Sequence, residues 1–264
     1  PGLAREIARS RERFVSVSLD GADAPTHDAF RVWDGSFGRT LQMLHDARRL
    51  KIPVQVNTTI TRRNVHQVDA MAELFAEQQI VMWSVFFLVP VGRGELEQRI
   101  EPAEYEEVFE KLWRHSQKQP YAIKTTEAPH YRRFVLQRDG DPLAEPETVS
   151  RRRDRHRRAP VGVGDGQGIM FVSHKGEIHP AGFLPLLCGR FPEDSVVDVY
   201  QRNETFVALR DPDRFGGKCG ICEYREVCGG SRSRAYAVTG DPLGEEPDCV
   251  YMPDEESAMR LSES

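Results

Sequence analysis

The sequence predicts an α/β protein with a small cysteine-rich unit at its carboxyl end, and three features lead to this fold class. Apolar runs alternate with amphipathic stretches from residue 13 to residue 88, which is typical of βα units around a parallel sheet. A β-hairpin signal follows near residues 168–179. Four of the five cysteines then fall between residues 219 and 249.

Three strands and two helices are predicted in the first part of the chain. Residues 14–19, 54–60 and 80–89 are rich in β-branched and aromatic side chains, which favour strands. Between them, residues 37–50 and 65–75 carry apolar side chains at helical spacing. Three parallel strands do not close a barrel, so we expect this chain to be an N-terminally truncated piece of a longer βα series.

The rest of the chain divides at a segment rich in glycine, proline, arginine and acidic residues. Residues 102–117 predict a helix, 121–126 a short strand and 130–137 another helix. Residues 139–167 predict a linker, whose basic stretch 151–158 is interpreted as a solvated loop. A helix is expected at 199–210. The expected units are therefore 1–138, the linker 139–167 and the cysteine-rich unit 168–264.

Composition argues against two kinds of partner. The net charge of -5 gives no general attraction to nucleic acid. The sequence contains no apolar run of the length that spans a bilayer, and residues 1–10 lack the apolar stretch of a signal peptide. We expect a cytoplasmic protein that binds neither nucleic acid nor membrane.

The cysteine spacing predicts a metal centre. Cys219, Cys222 and Cys228 are separated by two and five residues, and Cys249 follows. Four thiolates can bind a tetrahedral zinc ion or an iron–sulfur cubane. Zinc ribbons usually have two matched Cys-x2-Cys pairs, and the glycines crowding this segment suit a bulkier cofactor, so the cluster is favoured over zinc. The lone Cys188 is interpreted as a small core residue.

Several motifs resemble those of a known enzyme family. The segment from Phe215 to Tyr251 contains, in order, C-x2-C-x5-C-G-G, R-x-R-A-Y, T-G-D and D-C. It resembles the C-terminal cluster segment of radical S-adenosylmethionine (SAM) proteins with a SPASM or twitch cap, especially the branch that makes haem and haem d1. VSVSLDG, HDAFR, GSF, NTTITRRN and VPVGRG resemble the fourth to sixth units of the (β/α)6 barrel in these enzymes, and FVSHKGEIHPAGFLPL resembles the hairpin that opens the cap.

The resemblance implies a fold, a chemistry and a set of contacts. The fold is the C-terminal half of a radical SAM barrel followed by a small α+β SPASM/twitch cap. In the family, a 5′-deoxyadenosyl radical made from SAM abstracts a substrate hydrogen. By resemblance, SAM would contact Ser18, Asp20, Arg31, Asn57, Thr59 and Val89. Arg31 would grip its carboxylate, although an ion pair with Asp28 is an equally good interpretation from the sequence.

Two departures from the family pattern limit what this chain is expected to do. The Cys-x3-Cys-x2-Cys motif that holds the SAM-cleaving [4Fe-4S] cluster is absent, so the 264 residues alone are expected to be inactive. Ala181 and Arg232 stand where ligands of a second auxiliary cluster would be, which implies one auxiliary [4Fe-4S] cluster that transfers electrons.

The sequence alone does not decide which class of substrate the protein acts on. A tetrapyrrole carboxylate and a ribosomal peptide are both compatible with the resemblance, and an electron donor such as ferredoxin or flavodoxin is implied. A non-catalytic scaffold that binds zinc or a cluster through four cysteines is the alternative from another class.

Overall fold

A four-stranded parallel sheet organises the first part of the chain in the computed structural model, which describes residues 14–140 and 163–253. The strands lie in the order β1 (Val15–Ser18), β2 (Val54–Ile60), β3 (Met82–Phe87) and β4 (Ala122–Thr126). The prediction of three barrel strands is therefore wrong by one. The short segment predicted at 121–126 pairs in parallel with β3, with Lys124 in register with Ser84.

Helices connect these strands. They are α1 (Ala24–Arg31), α2 (Ser36–Arg49), α3 (Val68–Glu77), α4 (Pro102–Lys118) and α5 (His130–Asp139), with short 3-10 turns at Val65–Gln67 and Gly92–Leu96. The predicted helices α2 to α5 are confirmed within a few residues. Helix α1 was not predicted, although Asp23 marks its start: the Asp23 side chain accepts a hydrogen bond from the Thr26 N–H at 2.8 Å.

The two faces of the parallel sheet differ in chemistry. One face carries Val56, Val85 and their neighbours, which pack with the helices in the hydrophobic core. The other face carries a row of residues that pair in register across all four strands: Ser18, Asn57, Ser84 and Lys124. Because side chains alternate between faces along a strand, this row lies on the side away from the core. The row reaches the carboxyl end of β1 at Ser18, and α/β barrels gather their sites at the carboxyl ends of their strands.

A smaller α+β unit follows. Its antiparallel sheet has β5 (Phe171–Val172), β6 (Glu177–His179) and β7 (Gly189–Arg190), which confirms the predicted hairpin. Its helices are α6 (Val196–Arg202), α7 (Glu204–Leu209), α8 (Gly217–Gly220) and α9 (Arg232–Thr239), with a 3-10 turn at Pro212–Arg214. The single helix predicted at 199–210 is wrong. The backbone of Asn203 is extended, and its side chain accepts a hydrogen bond from the Thr205 N–H to start α7.

Parts of the sequence-based interpretation lie outside the described residues. These are most of the linker at 139–167 and, within it, the basic stretch 151–158. The division into units at residues 138 and 168 stays a prediction. Among the helices of residues 14–140 and 163–253, none is long and apolar enough to cross a membrane.

Candidate metal centre

The four clustered cysteines line one cavity. Cys219 lies in α8, Cys222 follows it closely, and Cys228 and Cys249 come from the loops on either side of α9. The space between the lining residues is about 380 Å³ when its opening to solvent is included. Among the described residues, no three Cys, His, Asp or Glu side chains form a group that could hold a single metal ion. The four cysteines thus share one cavity lining. Cys188 does not line this cavity.

Two consecutive glycines let the chain turn around the cavity. Gly229 and Gly230 have φ angles of 65° and 66°, which L side chains rarely adopt. A Cβ atom on Gly230 would lie 2.8 Å from the Cβ of Glu246 and 3.4 Å from the Sγ of Cys219. The glycine pair after Cys228 is therefore required both by its backbone conformation and by the close approach of the segment that precedes Cys249.

Each of the four sulfurs lies beside a main-chain N–H. The Glu246 N–H donates to Cys219 Sγ at 3.3 Å, and the Gly230 N–H donates to Cys228 Sγ at 3.5 Å. The backbone N–H groups of Tyr224 and Tyr251 hydrogen-bond Cys222 and Cys249. Such donors stabilise thiolates and the sulfurs of iron–sulfur clusters. The local folding of the loops thus suits a negatively charged sulfur ligand set.

The charges around the cavity also favour an anionic occupant. Arg133, Lys218 and Arg225 line it, while Glu246 is the carboxylate among the lining residues. Burial raises the pKa of Cys222 to about 11 and raises that of Cys228 further. The thiols must therefore lose protons when a metal binds, so the affinity for metal depends on pH.

A buried ion-pair network fastens the segment between Cys228 and Cys249 to the parallel-sheet unit. Arg234 in α9 is fully buried, and its guanidinium donates to Glu246 at 2.8 and 3.1 Å. Its Nε lies 3.1 Å from Asp248 Oδ2, which also accepts from the Tyr105 hydroxyl at 2.7 Å. Another guanidinium nitrogen lies 3.5 Å from the carbonyl oxygen of Leu88, immediately after β3. Burial tends to raise the pKa of Glu246, but Arg234 holds it down at about 2.

A second contact between the units places two carboxylates together. Glu127 follows β4 with a φ of 58°, which is unusual for a residue other than glycine. The hydroxyl of Ser231 donates to Glu127, while the N–H and hydroxyl of Ser233 donate to Asp165 at 2.7 and 2.8 Å. Burial raises the pKa of both carboxyls, and the charge of Asp165 raises that of Glu127 further.

The residues expected to contact SAM lie toward the end of the parallel sheet where the strands have their carboxyl ends. Ser18 pairs in register with Asn57 on the polar face. Asp20 follows β1, is fully buried and accepts a hydrogen bond from the Thr59 N–H at 2.8 Å. Val89, also buried, follows β3, and its carbonyl oxygen accepts a hydrogen bond from Val91.

Arg31 forms an ion pair with Asp20. The alternative pairing with Asp28 is wrong, because Asp28 instead accepts hydrogen bonds from Gly35, Ser36 and Phe37. Burial raises the pKa of Asp20, and Arg31 partly offsets this effect. With a side chain that is 34% exposed and has five N–H donors, Arg31 can hold Asp20 and still offer donors to a ligand.

Several residues of the site were not singled out from the sequence. Ser84 and Lys124 belong to the polar row, and the alternation of polar and apolar residues along each strand was the signal that could have found them. Arg234 was noted only as part of the R-x-R-A-Y motif, and Glu127 and His130 had no sequence signal. Arg232 and Ala181, expected to replace ligands of a second cluster, are buried, and Arg232 Nη2 lies 3.7 Å from Cys219 Sγ.

Arg234→Met should destabilise the fold strongly. Removing the guanidinium leaves Glu246 as an uncompensated buried charge, while Asp248 keeps its ion pair with Arg99. We therefore expect a loss of about 3–5 kcal/mol in the free energy of unfolding, measured by urea denaturation. The matched control is Arg202→Met, which breaks the exposed ion pair with Asp198 and should cost less than about 1 kcal/mol. Equal losses in the two variants would contradict the importance of the network.

Glu127→Gln should change how stability depends on pH. The pKa of Glu127 is raised in the folded chain above its ordinary value of 4.5, so the folded state holds this proton where the unfolded state has lost it. Stability should therefore fall as pH rises from about 4.5. Glutamine removes this contribution, and urea denaturation across a pH series should show a shallower decline. An unaltered decline would exclude Glu127 as its source.

Comparisons with known proteins identify relatives of this chain. The chain is 39% identical over 253 residues to AdoMet-dependent heme synthase of Methanosarcina barkeri, covering 96% of this chain and 72% of that protein. It is 38% identical over 257 residues to the protein of the same name from Nitratidesulfovibrio vulgaris, covering 96% of this chain and 69% of that protein. No protein-family model matches the chain.

Solved structures show the same fold at low sequence identity. The chain superposes on anSMEcpe with bound AdoMet at a TM-score of 0.64 and 14% identity, over 99% of this chain and 66% of that one. It superposes on Streptococcus suis SuiB bound to S-adenosylmethionine at a TM-score of 0.60 and 14% identity, over 96% of this chain and 55% of that one. The α/β fold and the two relatives above together assign the family: this chain belongs to the radical SAM enzymes of the haem-synthesis branch.

Proposed function

We propose that this chain holds one auxiliary [4Fe-4S] cluster on Cys219, Cys222, Cys228 and Cys249 in a radical SAM enzyme. The observation that carries the proposal is the cavity ringed by the four sulfurs, each beside a main-chain N–H. A zinc ion would draw four sulfurs to about 2.3 Å from one point. The unmatched spacing of the four cysteines, the glycines beside them and the cations that line the cavity favour a cubane. When bound, the cluster would supply one-electron transfer.

The proposed site for SAM is the end of the parallel sheet at which the strands have their carboxyl ends. Ser18, Asn57 and Thr59 would offer polar groups to the ribose, while Arg31 would hold the carboxylate and would itself be oriented by Asp20. Val89 would contact the adenine by its backbone and apolar surface. The cap contacts the sheet at this same end, through the Leu88 carbonyl after β3 and through Glu127 after β4.

The substrate that we propose is a tetrapyrrole with carboxylate side chains. The relatives at 38–39% identity are named as heme synthases, and a protein 26% identical from Dinoroseobacter shibae is named pre-heme d1 synthase. In an oxidative decarboxylation, the 5′-deoxyadenosyl radical removes a hydrogen atom from the carbon β to the carboxylate. The bond to the carboxyl carbon then breaks, CO2 leaves, a vinyl group forms, and one electron passes to an acceptor.

A ribosomal peptide is the second candidate substrate. A protein 27% identical to this chain, from Mycolicibacterium smegmatis, is named a mycofactocin maturase, and SuiB has been solved with its precursor peptide. The lower identity to the maturase makes the tetrapyrrole the better supported substrate. In both cases a ferredoxin or flavodoxin is the proposed electron donor.

Cys222→Ala should abolish cluster binding. The remaining three thiolates leave one iron without its cysteine ligand, so anaerobically reconstituted protein should lose its iron and its charge-transfer absorbance in the visible. Cys188→Ala is the matched control, because this thiol lies outside the cavity and should be dispensable for iron. Full iron in Cys222→Ala, or an equal loss in both variants, would exclude the proposed ligand set.

Product analysis should separate the two substrates. A protein that carries this chain at the length of its relatives, given SAM, a low-potential reductant and an iron tetrapyrrole bearing propionates, is expected to release CO2. Mass spectrometry should show a vinyl product that has lost CO2 and two hydrogens. The same preparation with Cys222→Ala serves as the control. An unaltered tetrapyrrole beside a modified peptide from the same genome would assign the substrate to the peptide class.

A further inference from the structure

A buried histidine opens onto the cavity of the four cysteines. His130 is the first residue of α5, is 1% exposed and lines the cavity together with the sulfurs. Neither of its ring nitrogens has a hydrogen-bond partner among the described residues. Buried polar groups are almost always hydrogen-bonded, so an imidazole with two unpartnered nitrogens beside a cofactor cavity points to the cofactor as its partner.

The imidazole is held in place by aromatic neighbours. Its centroid lies 5.2 Å from that of Tyr105 and 4.8 Å from that of Phe109, whose ring it meets edge to face. Both aromatic residues belong to α4 and are themselves buried. The ring is therefore packed on the side of α4, and the cavity is the side on which the structure leaves room for a partner.

The other cationic side chains that line the cavity are paired elsewhere, although Arg133 Nε has no hydrogen-bond partner among the described residues. Arg133 pairs with Glu106, Arg225 pairs with Asp213, and Lys218 donates to the Cys249 carbonyl oxygen. Burial lowers the pKa of His130 to about 3, which makes the ring neutral with one N–H donor and one acceptor nitrogen. A neutral donor forms a directed hydrogen bond without adding a charge to the cavity.

We propose that the N–H of His130 donates a hydrogen bond to a sulfur of the auxiliary cluster and thereby sets the cluster's reduction potential. This inference rests on the proposed function, since it requires a cluster on the four cysteines. A hydrogen bond to a cluster sulfur stabilises the reduced form, which carries one more negative charge, so the donor raises the potential. His130 is a positioning residue that acts through the cluster rather than on the substrate.

The test compares reduction potentials of the anaerobically reconstituted chain. His130→Phe keeps an aromatic ring against Tyr105 and Phe109 but removes the N–H. At a fixed applied potential we expect about a tenfold smaller ratio of reduced to oxidised cluster, which corresponds to ~59 mV for a one-electron couple. His130→Gln, which restores an N–H donor, should return most of the potential. His115→Phe, a buried histidine outside the cavity, should leave it unchanged.

An unchanged potential in His130→Phe at full iron content would overturn the inference while leaving the cluster itself intact. Wild-type chain that binds no iron would instead overturn the proposed function. Pulsed EPR of reduced wild-type chain labelled with nitrogen-15 histidine decides the question without any variant. A weak histidine coupling is expected. No coupling would refute the hydrogen bond, and a strong coupling would make His130 an iron ligand instead.

Discussion

The buried ion pair between Arg234 and Glu246, extended to Asp248, is the interaction on which the rest of the structure depends. Charges enclosed in a protein interior are tolerated when they are paired and hydrogen-bonded, so this network fixes the path of the chain between Cys228 and Cys249. The same segment delivers the Glu246 N–H to Cys219 Sγ. The same few residues thus pair the buried charges and shape the cavity of the four cysteines.

The network also fixes the position of the cysteine-rich cap on the parallel sheet. Tyr105 donates to Asp248, Arg234 reaches the carbonyl oxygen after β3, and Ser231 reaches Glu127 after β4. These contacts lie at the edge of the sheet where parallel strands end, which is where sites on α/β barrels are assembled. The proposed cluster, the proposed SAM site and the substrate between them would then share one enclosed region, from which water must be kept while a radical reacts.

The cysteine spacing and the alternation of strands and helices were sufficient to predict the grouping of the four cysteines and the fold class, because both are patterns of near neighbours. The residues that these patterns missed are defined by contacts with residues far away in the sequence. Arg234 contacts Leu88 across 146 residues, and Tyr105 contacts Asp248 across 143. An arginine read alone is expected at the surface. Likewise, nothing in the sequence around His130 distinguishes it, and its role depends on the packing of α4 and the cavity. The strand β4 was left out of the predicted sheet because Lys124 is recognisable as part of the polar row only once its register with β3 is known.

The central claim is that four thiolates enclose an iron–sulfur cubane. Its most direct test is metal and sulfide analysis of the wild-type chain after anaerobic reconstitution in the presence of both iron and zinc. The account predicts about four irons and four sulfides per chain, with a Mössbauer spectrum of a cubane. One zinc per chain with no sulfide, or protein that retains no metal, would contradict it.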